Sequence, residues 1–464
     1  MSGRDGPEVD VTLRCHGCAT VVDPLDATTG PVGRCPMARR APDVDHVLTW
    51  DPITAGVTAW PDGSELNPFF RYRTLQHWYW LGRARGLSDV DLLALVERLD
   101  RSVAGVAEAG FRITPFDRDD QASDALGLDV WAKDETGNVA GSHKARHLFG
   151  LLAHLEIQKI SARTRLAIAS CGNAALAAAT LARAARRPLD VFVPTAANPL
   201  VLDRLRALGA TVTNCERRPA DPPGDPCLHR FRAARDGGAF AFCGQGSEQG
   251  LTIDGGATLG YELATQLSLA GMADGPVCVP VGGGALGSSV ALGLDVARRL
   301  GALDDAPRLH FVQTEGCAPL HRAWRRVAER ALAASGVSQS DCAGASDLEA
   351  ATLLVDPAQA AAVSGALGWA ATHRSRHMWP WEDEPTSIAT GIVDDETYDW
   401  FALVRAMLDT GGWPIVVTER QLERANEATG ANADHTGSAA LAGAIALGAP
   451  AGEKVAVVYT GLRR

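Results

Sequence analysis

Short apolar runs alternate with helical patterns through the middle of the chain. Three runs are apolar throughout, as is typical of strands buried in a parallel sheet: LAIAS at 166–170, VFVP at 191–194 and VCVP at 277–280. Apolar residues recur at helical spacing in three further segments: Ala174–Arg187, Pro199–Leu208 and Leu228–Arg235. This alternation of strands and helices predicts an open α/β fold with parallel sheets.

Other segments of the chain carry different patterns. Residues 87–110 have helical periodicity, with Ser88 and Asp89 at the position of an N-terminal cap. The segment 211–226 is rich in Pro, Asp and Arg and is predicted to be a surface connection. Residues 334–385 are weakly patterned, which predicts helical cover joined by long loops, and the sequence contains no internal repeat.

Composition narrows the class of protein. At 464 residues the chain is too long for one compact core, and its 44 basic and 55 acidic residues give a net charge of −11. That charge argues against a nucleic-acid or anionic-membrane partner. No apolar run is long enough to span a bilayer, and the start MSGRDGPEVD lacks the apolar core of a signal peptide. We therefore predict a cytoplasmic protein with mostly reduced cysteines and a small-molecule substrate.

The segment KDETGNVAGSHK at 133–144 carries the strongest chemical signal. Lys144 follows Gly141 and Ser142 and precedes a helical pattern. A lysine that is buried or hemmed in loses its proton readily, and the neutral amine can form a Schiff base with an aldehyde. The alternative is a solvated lysine at the start of a helix, which describes most lysines.

A glycine-rich segment, PVGGGALGSS at 280–289, lies directly after the VCVP run and before a helical pattern. Glycines allow positive φ and let backbone N–H groups face inward, while the positive end of the following helix points to the same place. The loop therefore predicts an anion cradle. Its spacing fits neither the nucleotide P-loop nor the dinucleotide fingerprint, so a phosphate monoester fits best; the alternative is a tight turn.

A third junction between a strand and a helix is SCGNAALAAA at 170–179, which places Asn173 at an N-cap position. In the structural interpretation its side chain caps the helix. In the functional interpretation its amide faces the ring of a bound cofactor. Ala174 and Ala175 permit close backbone approach in either case.

Taken in order, these motifs resemble the fold type II family of pyridoxal phosphate enzymes, which includes tryptophan synthase β chain, threonine synthase, threonine and serine dehydratases and cysteine synthase. Four further segments are similar to that family: IDGGATLGYELATQL at 253–267, FVQTEGCAP at 311–319, HTGSAALAG at 435–443 and VVYTG at 457–461. The resemblance extends over about residues 65–464, and several motifs in the same order argue against chance agreement.

The resemblance implies roles for individual residues. Lys144 corresponds to the Schiff-base lysine, Asn173 to the asparagine beside the phenolic oxygen of the cofactor, and Thr460 to the hydroxyl that faces its pyridine nitrogen. The phosphate loop corresponds to six consecutive residues: Gly282, Gly283, Gly284, Ala285, Leu286 and Gly287.

The resemblance also implies an architecture of two open, mostly parallel sheets flanked by helices, and a homodimer. We expect a small α/β domain at 165–249 and a large cofactor-binding domain made of 51–164 and 250–464. A short cysteine-containing extension at 1–50 precedes them.

Two departures from the family concern the neighbours of Lys144. The family usually has an aromatic residue where this chain has His143, and threonine synthases commonly continue with Asp-Arg where this chain has Ala145 before Arg146. These changes bear on the substrate more than on the cofactor. We expect His143 to donate a proton or to contact an acidic substrate group. His143 and His147 also have the spacing of a metal-binding pair, although no third ligand is near in the sequence.

The predicted function is that of a lyase or β-replacement enzyme. It acts on a hydroxy-, phospho- or acyl-activated amino acid through a Schiff base, removal of the α-proton by Lys144 and elimination. Because Thr460 is not acidic, the pyridine nitrogen stays unprotonated, which favours prompt loss of a substituent. The runner-up is a threonine synthase acting on O-phosphohomoserine, supported by Thr460 and the N-terminal cysteines. The third alternative is a protein that binds pyridoxal phosphate without turnover.

The N-terminal cysteines are similar to half of a zinc ribbon. Cys15, Cys18 and Cys35 supply three thiolates, and the position expected for a fourth is Ala38. A closed structural zinc site needs four ligands, so His16 or His46 has to complete it. The alternatives are a site that has decayed and a cysteine cluster held together by packing.

Overall fold

The computed structural model describes residues 9–26, 33–222, 224–337, 344–450 and 452–463. The strands within these ranges are β1 (Leu13–Cys15), β2 (Val21–Val22), β3 (Leu48–Thr49), β4 (Phe116–Arg118), β5 (Asp129–Asp134), β6 (Leu166–Ala169), β7 (Leu189–Val193), β8 (Thr211–Asn214), β9 (Phe240–Ala241), β10 (Pro276–Pro280), β11 (Arg308–Thr314), β12 (Ile415–Val417) and β13 (Lys454–Tyr459).

The strands form three sheets. The largest has the order β12-β11-β10-β13-β5-β4, in which only the edge strand β4 runs antiparallel to its neighbour. A second sheet, β8-β7-β6-β9, is parallel throughout. A small antiparallel sheet, β2-β1-β3, lies in the N-terminal region. The predicted fold of two open, mostly parallel sheets is thus confirmed, whereas the domain boundaries stay a prediction.

Helices flank both parallel sheets. Their bounds are α1 (Pro68–Arg71), α2 (His77–Ala84), α3 (Asp89–Ala107), α4 (Asp120–Leu126), α5 (Lys144–Ile157), α6 (Asn173–Ala184), α7 (Pro199–Ala207), α8 (Pro226–Asp236), α9 (Leu251–Leu269), α10 (Ala285–Arg299), α11 (Pro319–Ala334), α12 (Asp347–Leu354), α13 (Ala360–Ala371), α14 (Trp400–Thr410), α15 (Glu419–Ala428) and α16 (Ala439–Leu447). Among the described residues, no single helix is long and apolar enough to cross a membrane; α12 meets that test only together with Pro357–Ala371, across an 84° bend.

Most predicted elements are present with shifts of a few residues at their ends. Helix α3 starts after Ser88, whose side chain forms a capping box with Asp91. The predicted surface connection at 211–226 is wrong in its first four residues, which form β8. This strand lies at the edge of its sheet and is largely exposed, so its residues lack the apolar signal of a buried strand. The three strands of the N-terminal sheet are too short to carry any periodicity.

Three core helices approach each other so closely that glycine is required where they cross. A β-carbon on Gly150 of α5 would lie 2.6 Å from Gly255 Cα of α9, and one on Gly293 of α10 would lie 2.6 Å from Gly260 Cα of α9. Any larger residue at these crossings would have to move backbone, because no flexible side chain lies in the way. Helices α5, α9 and α10 therefore form one glycine-packed frame.

Candidate functional site

Lys144 is the first residue of α5 and follows a tight, irregular turn. A 3₁₀ turn spans Val139–Gly141, in which Ala140 and Gly141 have φ values of 57° and 70°. Ser142 then pairs with Gly461 in an isolated β-bridge, and His143 occupies the N-cap of α5. The chain thus reaches Lys144 through backbone conformations that favour glycine, which explains why the segment reads as a turn in the sequence.

The chain contains four lysines, and their surroundings differ sharply. Lys133 is buried, with Nζ 2.6 Å from Glu262 Oε2. Lys454 donates to the carbonyl of Ala270 at 3.0 Å, and Lys159 is exposed just beyond the end of α5. Lys144 is the only residue of 141–155 that is not buried. Lys144 is therefore partly exposed at the end of a stretch that is otherwise buried.

The protein environment favours a neutral amine at Lys144. Burial lowers the pKa of Lys144, while the carboxylates of Asp394 and Asp399 oppose that change. A lysine with a lowered pKa supplies an unprotonated amine near neutral pH, as a nucleophile or base requires. Lys144 therefore has the buried surroundings and the lowered pKa that we expected from the sequence.

The glycine-rich loop links β10 to α10 and divides into two parts. Gly282 and Gly283 follow the strand, and Gly284 has a φ of 102° at the N-cap of α10. A β-carbon on Gly282 would lie 2.4 Å from Asp394 Oδ2. The rest of the predicted phosphate loop is helix: Ala285 and Leu286 are buried, and a β-carbon on Gly287 would lie 2.3 Å from Leu403 Cδ2. Gly282–Gly284 are therefore the non-helical part of the predicted cradle, and Gly287 packs against Leu403.

An anionic side chain already lies against this cradle. The backbone N–H of Gly283 donates to the carboxylate of Asp394. Burial raises the pKa of Asp394 to about 6, opposed by Lys144 and by the Gly283 N–H, while Asp395 and Asp225 raise it further. The cradle geometry thus suits an oxyanion, and any incoming anion has to compete with this carboxylate.

This competition predicts that Asp394→Asn tightens the binding of pyridoxal phosphate to the apoprotein by about tenfold above pH 7, because one like charge is removed from the cradle. The advantage should shrink below about pH 5, where the Asp394 carboxyl is protonated in the parent protein too. Fluorescence titration at several pH values measures it. Asp395→Asn is the matched control, and equal effects of the two substitutions would contradict the prediction.

Asn173 lies at the candidate site but does not cap a helix. Gly172 is the N-cap of α6 and Asn173 is its first residue, so the structural interpretation as an N-cap is wrong. A β-carbon on Gly461 would lie 2.5 Å from Asn173 Nδ2 and 3.6 Å from Ser142 Cβ. The asparagine amide, Ser142 and the chain after β13 therefore meet at one place.

Thr460 and His143 are joined through the backbone. His143 donates to the carbonyl of Thr460 from its backbone N–H at 3.2 Å and from Nδ1 at 3.0 Å. Burial, with the nearby Lys144 and His147, holds the pKa of His143 well below its usual value. Because its one proton is on Nδ1, His143 presents Nε2 as an acceptor, not as the proton donor expected from the sequence. Thr460 is buried, and its hydroxyl donates to the Thr436 carbonyl at 3.4 Å.

Several buried polar atoms around Lys144 lack a hydrogen-bond partner within the part of the chain that the structure describes. They are Ser142 Oγ, His143 Nε2 and, in the helix after the glycine loop, Ser288 Oγ. A buried polar group without a partner is costly, so such atoms mark places where a ligand supplies the missing bond. His147 donates from Nδ1 to the Thr252 carbonyl at 2.9 Å, and its ring centroid lies 5.7 Å from that of His143. Among the described residues, no third ligand joins these two histidines.

Two sets of residues were not recognised in the sequence. Arg146 forms a buried network with Glu135, Glu262 and Lys133, with N···O distances of 2.6–2.8 Å in its ion pairs. The acidic segment IVDDETYDW at 392–400 brings Asp394 and Asp399 to Lys144. An acidic run in a region without strand or helix periodicity was the available signal for the second set. For the Arg146 network, the available signal was the cluster of polar residues that flanks the lysine motif.

Comparison with known proteins supports the arrangement. A family model described as "Pyridoxal-phosphate dependent enzyme" matches residues 107–348, just over half of the chain. The chain belongs to this family of pyridoxal-phosphate-dependent enzymes. No curated protein sequence matches it.

Solved structures of family enzymes share the fold. The processed form of threonine deaminase isoform 2 from Solanum lycopersicum is 16% identical, with a TM-score of 0.54 over 82% of this chain and 86% of its own. A threonine deaminase from T.th. is 20% identical, with a TM-score of 0.55 over 80% and 98%. An L-serine ammonia-lyase from Rhizomucor miehei is 19% identical, with a TM-score of 0.52 over 76% and 94%.

The residues of this chain fit pyridoxal phosphate, the cofactor of the family. A reachable lysine with a lowered pKa lies beside a cradle whose N–H groups suit an oxyanion, and unpartnered Ser142 Oγ and Ser288 Oγ lie in the same neighbourhood. A phosphate bound there would compete with the Asp394 carboxylate for the N–H of Gly283.

Proposed function

We propose that this enzyme is a lyase or β-replacement enzyme for an amino acid with a leaving group on its β-carbon. The observation that carries the proposal is Lys144, the one partly exposed residue of the buried stretch 141–155, whose pKa is lowered by burial. When bound, pyridoxal phosphate supplies an aldehyde that condenses with amines and a ring that withdraws electrons from the substrate α-carbon.

We assign the binding of the cofactor to residues from four parts of the chain. Gly282, Gly283 and Gly284 hold the phosphate through backbone N–H groups at the positive end of α10. Asn173 would place its amide beside the ring. Its position next to Gly461 supports this role, because Gly461 leaves no room for a side chain between them.

Lys144 is the proposed base. Its neutral amine takes the proton from the substrate α-carbon and returns one after the leaving group has departed. The nearby carboxylates of Asp394 and Asp399 stabilise the resulting ammonium, because they raise the pKa that burial lowers. The lysine environment therefore allows both the neutral and the charged form within one cycle.

Thr460 is the proposed partner of the pyridine nitrogen. A hydroxyl beside that nitrogen, in place of a carboxylate, leaves it unprotonated and makes the ring a weaker electron sink. A weaker sink favours prompt loss of a β-substituent over transamination. To donate to an unprotonated nitrogen, the Thr460 hydroxyl would turn its proton away from the Thr436 carbonyl, with which it makes only a long hydrogen bond of 3.4 Å.

The acidic surroundings of Lys144 favour some substrates over others. The charges of Asp395 and Asp225 raise the pKa of Asp394, so these three carboxyl groups are close enough to interact. A substrate that carries its own phosphate would be repelled by them. This ranks hydroxy- and acyl-activated amino acids ahead of phosphorylated ones, and it weakens the threonine synthase alternative. The proposed homodimer and cytoplasmic location remain predictions.

A substrate panel tests the proposal. Serine, threonine, O-acetylserine and O-phosphohomoserine are offered to the holoenzyme, and release of ammonia, keto acid, acetate and phosphate is measured, with a thiol present as an acceptor in a parallel series. We expect release from serine, threonine or O-acetylserine. Phosphate release from O-phosphohomoserine alone would favour threonine synthase. No release from any amino acid by cofactor-loaded protein would favour a binding protein without turnover.

A further inference from the structure

Three cysteines and one histidine of the N-terminal region converge on a common point. The ligand atoms of Cys15, Cys18, Cys35 and His46 all lie within 4.8 Å of one another. Cys18 Sγ lies 3.6 Å from Cys35 Sγ, and Cys15 Sγ lies 3.5 Å from His46 Nδ1. With Zn–S bonds of about 2.3 Å and Zn–N bonds of about 2.0 Å, a tetrahedral site requires edges of about 3.8 Å and 3.5 Å. The measured spacings match both.

The orientation of His46 is the one that a metal ligand needs. Its Nε2–H donates to the carbonyl of Ala41 at 2.9 Å, which leaves an unprotonated Nδ1 facing the sulfurs. Metal-bound histidines typically donate their second ring N–H to a carbonyl or carboxylate in this way. The other candidate, His16, has Nε2 2.6 Å from Asp45 Oδ2 and is engaged in an ion pair.

Backbone N–H groups point at the sulfurs as they do around thiolates. Cys15 Sγ accepts from the N–H groups of Gly17 and Cys18, Cys18 Sγ from that of Thr20, and Cys35 Sγ from that of Met37. Such bonds stabilise negatively charged sulfur. Three of the four ligand residues are buried, and the fourth, Cys18, is partly exposed. Four ligand atoms are the number that a closed tetrahedral site needs.

We propose that Cys15, Cys18, Cys35 and His46 bind a structural zinc ion. Three soft sulfur ligands and one imidazole in a closed tetrahedral set are the donors that Zn²⁺ prefers. Binding displaces the thiol protons to solvent and leaves three thiolates on the ion. His46 thus supplies the fourth ligand in place of a cysteine at position 38, which is Ala38.

The segment that carries the proposed zinc site contacts the acidic segment at 392–400. Asp45, next to His46, accepts from Trp400 Nε1 at 3.0 Å, and Trp400 directly follows Asp399. Asp45 also donates its N–H to the Ala371 carbonyl at 2.9 Å. On the other side, Gly33 O accepts from the N–H of Gly250, which precedes α9. The ion thus stabilises a part of the chain that holds both α9 and α14.

The test is metal analysis of the full-length protein, purified without a metal-affinity tag and under reducing conditions. We expect about one zinc per chain, loss of at least about nine-tenths of it in His46→Ala and Cys18→Ser, and full retention in His46→Cys, which restores a fourth ligand. Cys215→Ser, which alters a buried thiol outside the cluster, is the matched control and should retain zinc.

A second measurement does not depend on variants that fold. Replacement of zinc by Co²⁺ in the parent protein should give the intense visible bands of a tetrahedral, thiolate-bound ion. Absence of these bands together with absence of zinc would overturn the proposal. So would undiminished zinc in Cys18→Ser, or a Cys18–Cys35 disulfide in freshly prepared protein. Since the readout is metal content, failure here leaves the proposed lyase activity untouched.

Discussion

Replacing Lys144 with alanine is expected to abolish turnover, with a fall of at least about 10³-fold in kcat, and to remove the visible absorbance that bound cofactor gains from its bond to a lysine. The reason is chemical: no other described group near the cradle offers a neutral amine. Lys133, the next lysine in the chain, is held by Glu262 in a buried ion pair and points away from solvent.

The scarcity of lysines makes this experiment unusually sharp. Borohydride reduction of the holoenzyme should fix the cofactor on one of only four lysines, and peptide mapping then identifies it. Lys159→Ala is the matched control, because that side chain is exposed just beyond the helix that starts at Lys144. An unchanged absorbance band in Lys144→Ala, or label on another lysine, would sink the assignment.

Replacing Arg146 with methionine is expected to lower the free energy of unfolding by about 3–5 kcal/mol, the usual cost of leaving buried charges unpaired. The guanidinium contacts Glu135 Oε2 and Oε1 at 2.8 Å each and Glu262 Oε1 at 2.6 Å, and all three side chains are buried. Burial alone would raise the pKa of Glu135, yet Arg146 and Lys133 bring it below its usual value.

Urea denaturation followed by circular dichroism measures this loss. Arg101→Met is the matched control, because Arg101 pairs with Glu97 on the exposed face of α3, where a salt bridge contributes less than about 1 kcal/mol. Since Glu135 has a lowered pKa when folded, its stabilising contribution is present at neutral pH and is lost on acidification. The gap between parent and Arg146→Met should therefore narrow as the pH falls. A loss no larger than that of Arg101→Met would contradict the expectation.

The positions of Lys144 and of Gly282–Gly284 at the starts of helices could be predicted from the sequence, because each depends on a short run of contiguous residues. Gly282–Gly284 and Lys144 stand where a strand or turn passes into a helix, and contiguous residues record that change of direction. Asn173 was placed at the right junction, but one position too early in its helix, because glycine instead occupies the N-cap. Helix ends shift by a residue without any change in pattern.

Contacts between distant segments could not be predicted in the same way. Asp394 reaches Gly283 from a segment without periodicity, far along the chain. His46 joins the cysteines because an antiparallel pairing of β1 with β3 brings position 46 back to Cys15. Strands of two and three residues leave no trace of that pairing in the sequence. The sequence therefore named both histidine candidates and could not choose between them.

The departure at Ala145 also gains an explanation. The Arg146 side chain points away from the site and forms ion pairs with Glu135 and Glu262. Ala145, which lies between Arg146 and Lys144, therefore has only a packing role. Ala145 is fully buried against the core. Substrate differences from relatives should then be sought at His143 and the acidic segment, which face Lys144.

The glycine crossings of α5, α9 and α10 fix the distance between the two parts of the proposed cofactor site. Lys144 begins α5 and the glycine-rich loop leads into α10, and at Gly255 and Gly260 of α9 each of these helices meets α9 backbone against backbone. Rotamer changes cannot alter the spacing at these two crossings. The loops that contact the substrate can therefore change in sequence while the separation between the start of α5 and the start of α10 stays the same.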